Sequence, residues 1–233
     1  MHLGFIMDGN RRWAKEKGWF KSIGHKHGFD NLKNIIDLCL KEGIEYTSFW
    51  TLAKNNIQNR EQEELDFIYN LIIKDVYGLK DDFLKKSISF RTVGDLSLLP
   101  INVKNTLEKL TEETKNGEKL TIIMAIGYGG QDEIVRGIKK FIIENAENIK
   151  SDLEEALVSL DEGSFFKYLD TGDFPAPDLI VRTGGDIRMS GYFLYASEYS
   201  EYHFTKTYWP DFGEKDFYEA LDLLKGAKRN FGK

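Results

Sequence analysis

Apolar residues along this chain follow two rhythms. Short unbroken runs fit single buried strands, and longer stretches repeat every three or four residues, as helices do. Leu3 to Met7 is the first short run, and Asp8-Gly9-Asn10 closes it. Residues 10 to 17 then read as a short helix ended by Gly18. The adjacent aromatics Trp19 and Phe20 follow in a loop, as core or as a cover over a ligand. A longer helix comes after Gly24-His25-Lys26-His27-Gly28. Asp30 is its candidate cap, with Leu32, Ile35, Ile36, Cys39 and Leu40 at helical spacing. Gly43 ends it, and Tyr46 to Leu52 is strand-like. Strand, helices and strand in this order suggest a parallel crossover unit.

The same alternation continues. Glu61 to Tyr77 predicts one long helix, whose broad apolar face (Leu65, Phe67, Ile68, Leu71, Ile72, Val76, Tyr77) suits either a core or the wall of an apolar cavity. Asp81-Asp82 opens a helix with favourable end charges; no third acid follows to suggest a metal site. Residues 88–93, 120–126 and 178–181 read as strands. Residues 101–115 and those from about Gln131 read as helices. Residues 145–176 are acidic and irregular, with helical pieces near 154–160 and 164–169, and the chain ends in a helix and a basic tail with Lys228, Arg229 and Phe231. The prediction is an α/β fold: an open, mostly parallel central sheet flanked by helices, in one domain over residues 1–233.

Composition narrows this reading. With 233 residues, 41% of them hydrophobic, the chain can bury one substantial core. A formal net charge of -6 argues against nucleic acid as a partner, while leaving room for a local basic pocket. The one cysteine, Cys39, lies in an apolar stretch and reads as a buried small hydrophobe. No signal peptide or bilayer-length apolar run is evident, so a cytoplasmic protein is expected, in contact with a membrane only peripherally.

Chemistry concentrates at strand ends, where ligands bind in open α/β sheets. Asp8-Gly9-Asn10-Arg11-Arg12 combines a carboxylate, a glycine turn and a helix start, a plausible anion site; a tight turn with solvated arginines is the plainer alternative. Arg182-Thr183-Gly184-Gly185-Asp186-Ile187-Arg188-Met189-Ser190 follows the last strand. Its forked arginine donors and serine hydroxyl suit a diphosphate; the alternative is a flexible loop with unrelated salt bridges. Ala53 to Arg60 is polar and sits at the end of the second strand. Gly127-Tyr128-Gly129-Gly130 matches neither a Walker loop nor a dinucleotide fingerprint. Of the four histidines, His25 has the best claim to a function and His27 looks dispensable. From residues alone, this is an α/β protein that binds a phosphorylated small molecule.

Two blocks carry a resemblance. Met7-Asp8-Gly9-Asn10-Arg11-Arg12-Trp13-Ala14 with Gly24-His25, and Arg182 to Ser190 with Glu201 and Trp209-Pro210-Asp211-Phe212, resemble the cis-prenyltransferases over almost the whole chain. That resemblance implies an enzyme with an apolar tunnel. It would condense isopentenyl diphosphate onto an allylic diphosphate, usually farnesyl diphosphate, with cis geometry, using Mg2+ and acting as a homodimer. It places Asp8 between the two diphosphates as the magnesium residue, with Glu201 near the metal or across the dimer. Gly9, Asn10, Arg11, Arg12, Trp13, Lys21 and His25 would meet the allylic diphosphate. Arg182, Arg188 and Ser190 would meet isopentenyl diphosphate. Asn10 and His25 are candidates to guide the departing proton. Lys21 stands where an arginine is usual, keeping the charge without the fork. The block Ala53 to Glu61 departs from the family's Ser-x-Glu-Asn-Trp-x-Arg-Pro; only Asn56 matches directly, and Arg60 with one insertion. A short-product or branching relative, and a non-catalytic subunit, are the rival readings.

Overall fold

The computed structural model describes residues 1–226. Six strands form one sheet: β1 (His2–Ile6), β2 (Tyr46–Ala53), β3 (Ile88–Val93), β4 (Leu120–Tyr128), β5 (Leu179–Arg182) and β6 (Glu201–Phe204). Their order is β3-β4-β2-β1-β5-β6, and every neighbouring pair is parallel. The crossover from β1 leads to β2 on one side, and β5 lies on the other side of β1. The loops after β1 and β5 therefore flank a crevice at the carboxyl ends, where such sheets bind ligands.

Side chains alternate between two cores, as strand geometry requires. Leu3, Phe5, Phe49, Met124 and Val181 pack on one face beneath α2 (Lys21–Lys41), α4 (Gln62–Leu71), α6 (Ile101–Glu113) and α11 (Glu214–Gly226). Ile6, Ile123, Ala125 and Ile180 pack on the other, with Tyr192 and Phe193. Cys39 is fully buried in the first core, where desolvation pushes its thiol up to about 12; the small-hydrophobe reading holds. The remaining helices are α1 (Asn10–Glu16), α3 (Lys54–Asn59), α5 (Lys80–Lys86), α7 (Gly130–Glu144), α8 (Ala146–Ser151), α9 (Leu153–Val158) and α10 (Glu162–Phe166).

The structure corrects several expectations. Gly24 and Gly28 do not precede the second helix; they lie inside α2, and Asp30 is an interior residue bonded to Lys26 at 3.0 Å rather than a cap. A Cβ on Gly24 would stand 2.1 Å from the Asn10 carbonyl oxygen, and one on Gly28 2.3 Å from Asn10 Oδ1. The glycines are thus close-packing points for α1, which outweighs their low helix propensity. The expected helix over 61–77 is α4 followed by a π-helical turn (Ile72–Val76) and a 3-10 turn (Tyr77–Leu79). Its residues Leu65, Ile68, Ile72 and Val76 are buried in the first core, and neither of the two open cavities described below is lined by this face. The edge strand β6, four residues long, has no counterpart in the sequence reading. Lys228, Arg229 and Phe231 lie outside the described residues.

Candidate active site

Two charged clusters stand at the carboxyl ends of β1, β2 and β5. The first is built on Arg182, the last residue of β5, whose side chain is 6% exposed. Its NH1 donates to the Arg188 carbonyl at 2.5 Å and to Ser190 Oγ at 2.9 Å. Its NH2 donates to Asp8 Oδ2 at 3.0 Å and to Asp186 Oδ2 at 3.5 Å. Arg12 NH2 reaches the other Asp8 oxygen at 3.0 Å. Burial raises the Asp8 carboxyl, but the bond from Arg182 and the charge of Arg12 outweigh it and hold the group below its ordinary range. The Asp8 backbone is fixed as well. Thr183 Oγ1 accepts from its N–H at 3.0 Å and donates to its carbonyl at 2.7 Å. Gly9 follows with φ +107°, a left-handed conformation suited to glycine.

The second cluster centres on Glu64, in the first turn of α4 and 4% exposed. His25 Nε2 lies 3.0 Å from its Oε1, Arg60 NH1 3.1 Å from the same oxygen, and Lys21 Nζ 3.3 Å from Oε2. Lys21 also donates to Glu61. The hydrogen bond with His25, with help from Arg60 and Lys21 against the cost of burial, pushes Glu64 down to about 2. A carboxylate only accepts, so Nε2 of His25 carries a proton and Nδ1 is the nitrogen able to take one.

Two cavities open onto these clusters, of about 740 and 880 Å³. Both are lined by Met7, Asp8, Asn10, His25 and Arg60. The first continues past Asn56, Arg182 and Ser190 to Trp50, Lys54 and Asp132; the second past Gly9, Arg11, Arg12 and Lys21 to Trp19, Phe20, Asp186 and Arg188. Among the described residues, Asn10 Oδ1 and Arg182 Nε are buried with no partner, two polar atoms left to be satisfied beside the cavities.

Twelve of the fourteen predicted site residues therefore meet at this crevice, and two do not. Trp13 lines neither cavity: it is buried against Trp19 and His27, 5.5 and 4.8 Å between ring centres. It supports the loop after α1, and His27 is part of that packing rather than dispensable. Glu201 begins β6, in register with Leu179, whereas Arg182 pairs with Phe204. Three residues of strand, about 10 Å, separate its level from Arg182. Within one chain Glu201 thus sits toward the amino ends of the strands, away from Asp8. Arg182 and Ser190 line the first cavity and Arg188 the second, so this trio straddles both.

Sequence reasoning missed Glu64 and Asp186. Glu64 falls four residues after Arg60, the spacing of a helical ion pair, which is a weak but usable signal. Asp186 bridges Arg12, Arg182 and Arg188 at 3.7, 3.5 and 2.8 Å. Lys54 was also passed over; it bonds Asp132, which joins Arg136 at 2.8 Å, and so ties α3 to α7.

No group of three or more His, Cys, Asp or Glu side chains that could hold a metal occurs among the described residues. That donor set still fits Mg2+, which commonly binds through one or two carboxylates and completes its shell with substrate phosphates and water. Asp8, shared by both cavities, is the carboxylate placed to do so.

A pair of cation-lined cavities on a parallel α/β sheet, joined at one carboxylate, suits a transferase of diphosphate substrates. The chain matches the family described as "Putative undecaprenyl diphosphate synthase" over residues 6–232 and belongs to it. It is 37% identical to the tritrans,polycis-undecaprenyl-diphosphate synthase (geranylgeranyl-diphosphate specific) of Thermoplasma acidophilum, covering all of this chain and 88% of that protein. It is 35% identical to the isoprenyl transferase of Fusobacterium nucleatum, covering 99% and 95%. Among solved structures, lavandulyl diphosphate synthase from Lavandula x intermedia, in complex with dimethylallyl diphosphate, superposes with a TM-score of 0.89 at 31% identity, covering 100% and 98%. The protein is a cis-prenyltransferase, an enzyme that condenses isopentenyl diphosphate onto an allylic diphosphate, and the family implies a divalent metal.

Proposed function

We propose that residues 1–233 form one cytoplasmic catalytic domain that elongates an allylic starter, farnesyl diphosphate in the first instance, into a polyprenyl diphosphate, a lipid-carrier precursor. The observation that carries this reading is the sharing of Asp8, Asn10, His25 and Arg60 by two cation-lined cavities. Two diphosphates seated there would meet at Asp8. Arg11, Arg12 and Lys21 receive the allylic diphosphate, and Arg182, Ser190 and Arg188 the isopentenyl diphosphate. Asp8 would hold Mg2+, which supplies positive charge to the leaving diphosphate.

As the allylic carbon–oxygen bond breaks, negative charge grows on the departing diphosphate and positive charge on carbon. Arg12, Lys21 and Arg60 are held in place by Asp8 and Glu64 before any substrate arrives, and such preorganised cations stabilise the developing charge without reorganising. The double bond of isopentenyl diphosphate attacks the electron-poor carbon, and a proton then leaves the adduct. Nδ1 of His25 takes that proton, with Asn10 orienting the adduct beside it. Chain growth runs past Ile57 of α3 and Ile73, Tyr77 and Leu79 of the turns after α4, apolar side chains only partly buried against the core rather than locked in it, and each CH₂ removed from water contributes about 0.8 kcal/mol. Homodimer formation is supported by Val135, Ile138 and Ile142, an exposed apolar stripe on α7. Ile138→Glu should leave a monomer by light scattering.

The deciding assay incubates the purified chain with labelled isopentenyl diphosphate, farnesyl diphosphate and Mg2+, and reads product length and double-bond geometry. Long cis-polyprenyl products support the proposal; no product with any allylic starter overturns it. The likeness to lavandulyl diphosphate synthase, with the altered block Ala53 to Glu61, favours a second reading, a short or branched product. The same chromatogram with dimethylallyl diphosphate separates the two.

A further inference from the structure

The turn between α1 and α2 exposes what a protein of this kind ordinarily buries. Phe20 is 81% exposed, Trp19 46% and Ile23 36%, three apolar side chains within five residues. Trp19 and Phe20 stand at the rim of the second cavity. Ile187, 79% exposed, lies between Asp186 and Arg188, which line the same rim.

The charge around them is opposite to that of the whole molecule. Residues 10–27 carry six Lys or Arg (Arg11, Arg12, Lys15, Lys17, Lys21 and Lys26) and one acid, Glu16, on a chain of net charge -6. The acid within the segment and one beside it are already engaged: Glu16 accepts from Tyr208 and Glu61 from Lys21. Among the described residues, Arg11, Lys15 and Lys17 have no ion-pair partner. Lys17 Nζ sits over the rings of Trp13 and Trp19, at 4.8 and 5.9 Å, so its charge accompanies the aromatic surface. The turn is also stiff: Trp19 packs on Trp13 and His27, and its N–H donates to the Ala14 carbonyl at 2.8 Å.

We propose that this turn docks the mouth of the second cavity onto an anionic bilayer surface. Exposed Trp and Phe insert at the headgroup level, where amphipathic and apolar rings are favoured. Unpaired lysines and arginines beside them are drawn to the negative surface potential of anionic lipids. The combination fits a lipid surface better than nucleic acid, because isolated basic residues around protruding apolar side chains offer no track for a phosphate backbone. It fits a second copy of this chain poorly, because two such basic turns would repel. Docking there sets the diphosphate-binding mouth against the headgroups. The surface is independent of which product the enzyme makes.

Flotation with vesicles tests this. One set is phosphatidylcholine alone; the other contains about 30% phosphatidylglycerol. The parent chain should float with the anionic set and stay behind with the neutral one. Phe20→Ser, a change at a protruding side chain, should weaken that binding about tenfold, and Lys15→Glu with Lys17→Glu by at least as much. Thermal melts identify any variant that fails to fold. Trp19 supplies a second readout, because it is the exposed one of the four tryptophans: Trp13 and Trp209 are buried and Trp50 is half-buried at the first cavity; brominated lipid should quench the parent and quench Trp19→Leu far less. No binding to either set, equal binding to both, or undiminished binding of Phe20→Ser overturns the proposal. So does a Phe20→Ser variant that changes oligomeric state while flotation stays intact, since the patch would then be a contact between copies.

Discussion

The two ends of the sheet hold similar residues in opposite situations. At the amino ends, His2 is fully buried, with Nδ1 against the Pro175 carbonyl at 2.7 Å and Nε2 against Ser48 Oγ at 2.8 Å. Asp178 accepts from its N–H, and Glu201 donates its own N–H to the Asp178 carbonyl. At the carboxyl ends, His25 and Glu64 form the corresponding pair beside Asp8, and His25 borders both cavities. Both ends thus offer a histidine and carboxylates. The carboxyl ends add two cavities, Asn10 Oδ1 and Arg182 Nε unpartnered beside them among the described residues, and more guanidinium charge than the neighbouring acids consume. Residue type alone does not make a site; access and unmet bonding capacity do.

The largest effect expected from breaking this contrast is at Asp8. Asp8→Ala should lower turnover by about 10³-fold, with a folded chain by circular dichroism and a melting point near that of the parent. Wild-type-like turnover would reject its role.

Glu64→Gln comes next. It removes the acceptor charge shared by His25, Arg60 and Lys21, and turnover should fall about 10- to 100-fold, as measured by steady-state kinetics. The variant also carries a pH signature. Glu64 is held down to about 2, against an ordinary 4.5, so its stabilising contribution is complete above about 4.5 and is lost as pH falls toward 2. Urea unfolding of Glu64→Gln should lack that acid-side loss.

At the other end, His2→Gln should leave kcat within about twofold and cost about 1–2 kcal/mol of stability, read from denaturant midpoints. Burial lowers His2 to about 4 from 6.5. The unfolded chain therefore takes up the proton first, and stability should fall as pH drops from about 6.5 to 4. The variant should flatten that slope. The smallest expected change is at Glu201: Glu201→Gln should alter turnover far less than Asp8→Ala. A loss of equal size would mean that this carboxylate reaches the crevice of a partner chain.

Much of this contrast could be read before any coordinates. The strand runs at 3–7, 46–52, 88–93, 120–126 and 178–181 anticipated five of six strands, because buried parallel strands are nearly continuous apolar runs. The loops Asp8 to Arg12 and Arg182 to Ser190 stood out because charge following such a run is rarely accidental. Glu64 did not, since an acid in the first turn of a helix is ordinary and only its burial makes it notable. Gly24 and Gly28 misled because a glycine punctuates a chain locally unless another backbone needs its space. Trp13 was assigned to substrate by its neighbours, although Trp19 and His27 enclose it.

By itself, then, the sequence determined the α/β class, the periodic faces of the helices, and two cationic loops that each follow a strand, all of which are local properties of pattern and residue type. Only the tertiary structure decided which of those residues meet. The order β2-β1-β5 sets Asp8 against Arg182, 174 positions apart. Close packing at Gly24 and Gly28 draws His25 toward Asn10 and leaves it on Glu64. The register of β6 carries Glu201 to the far end. Such choices rest on strand order, register and contact between distant segments, which no window of sequence contains.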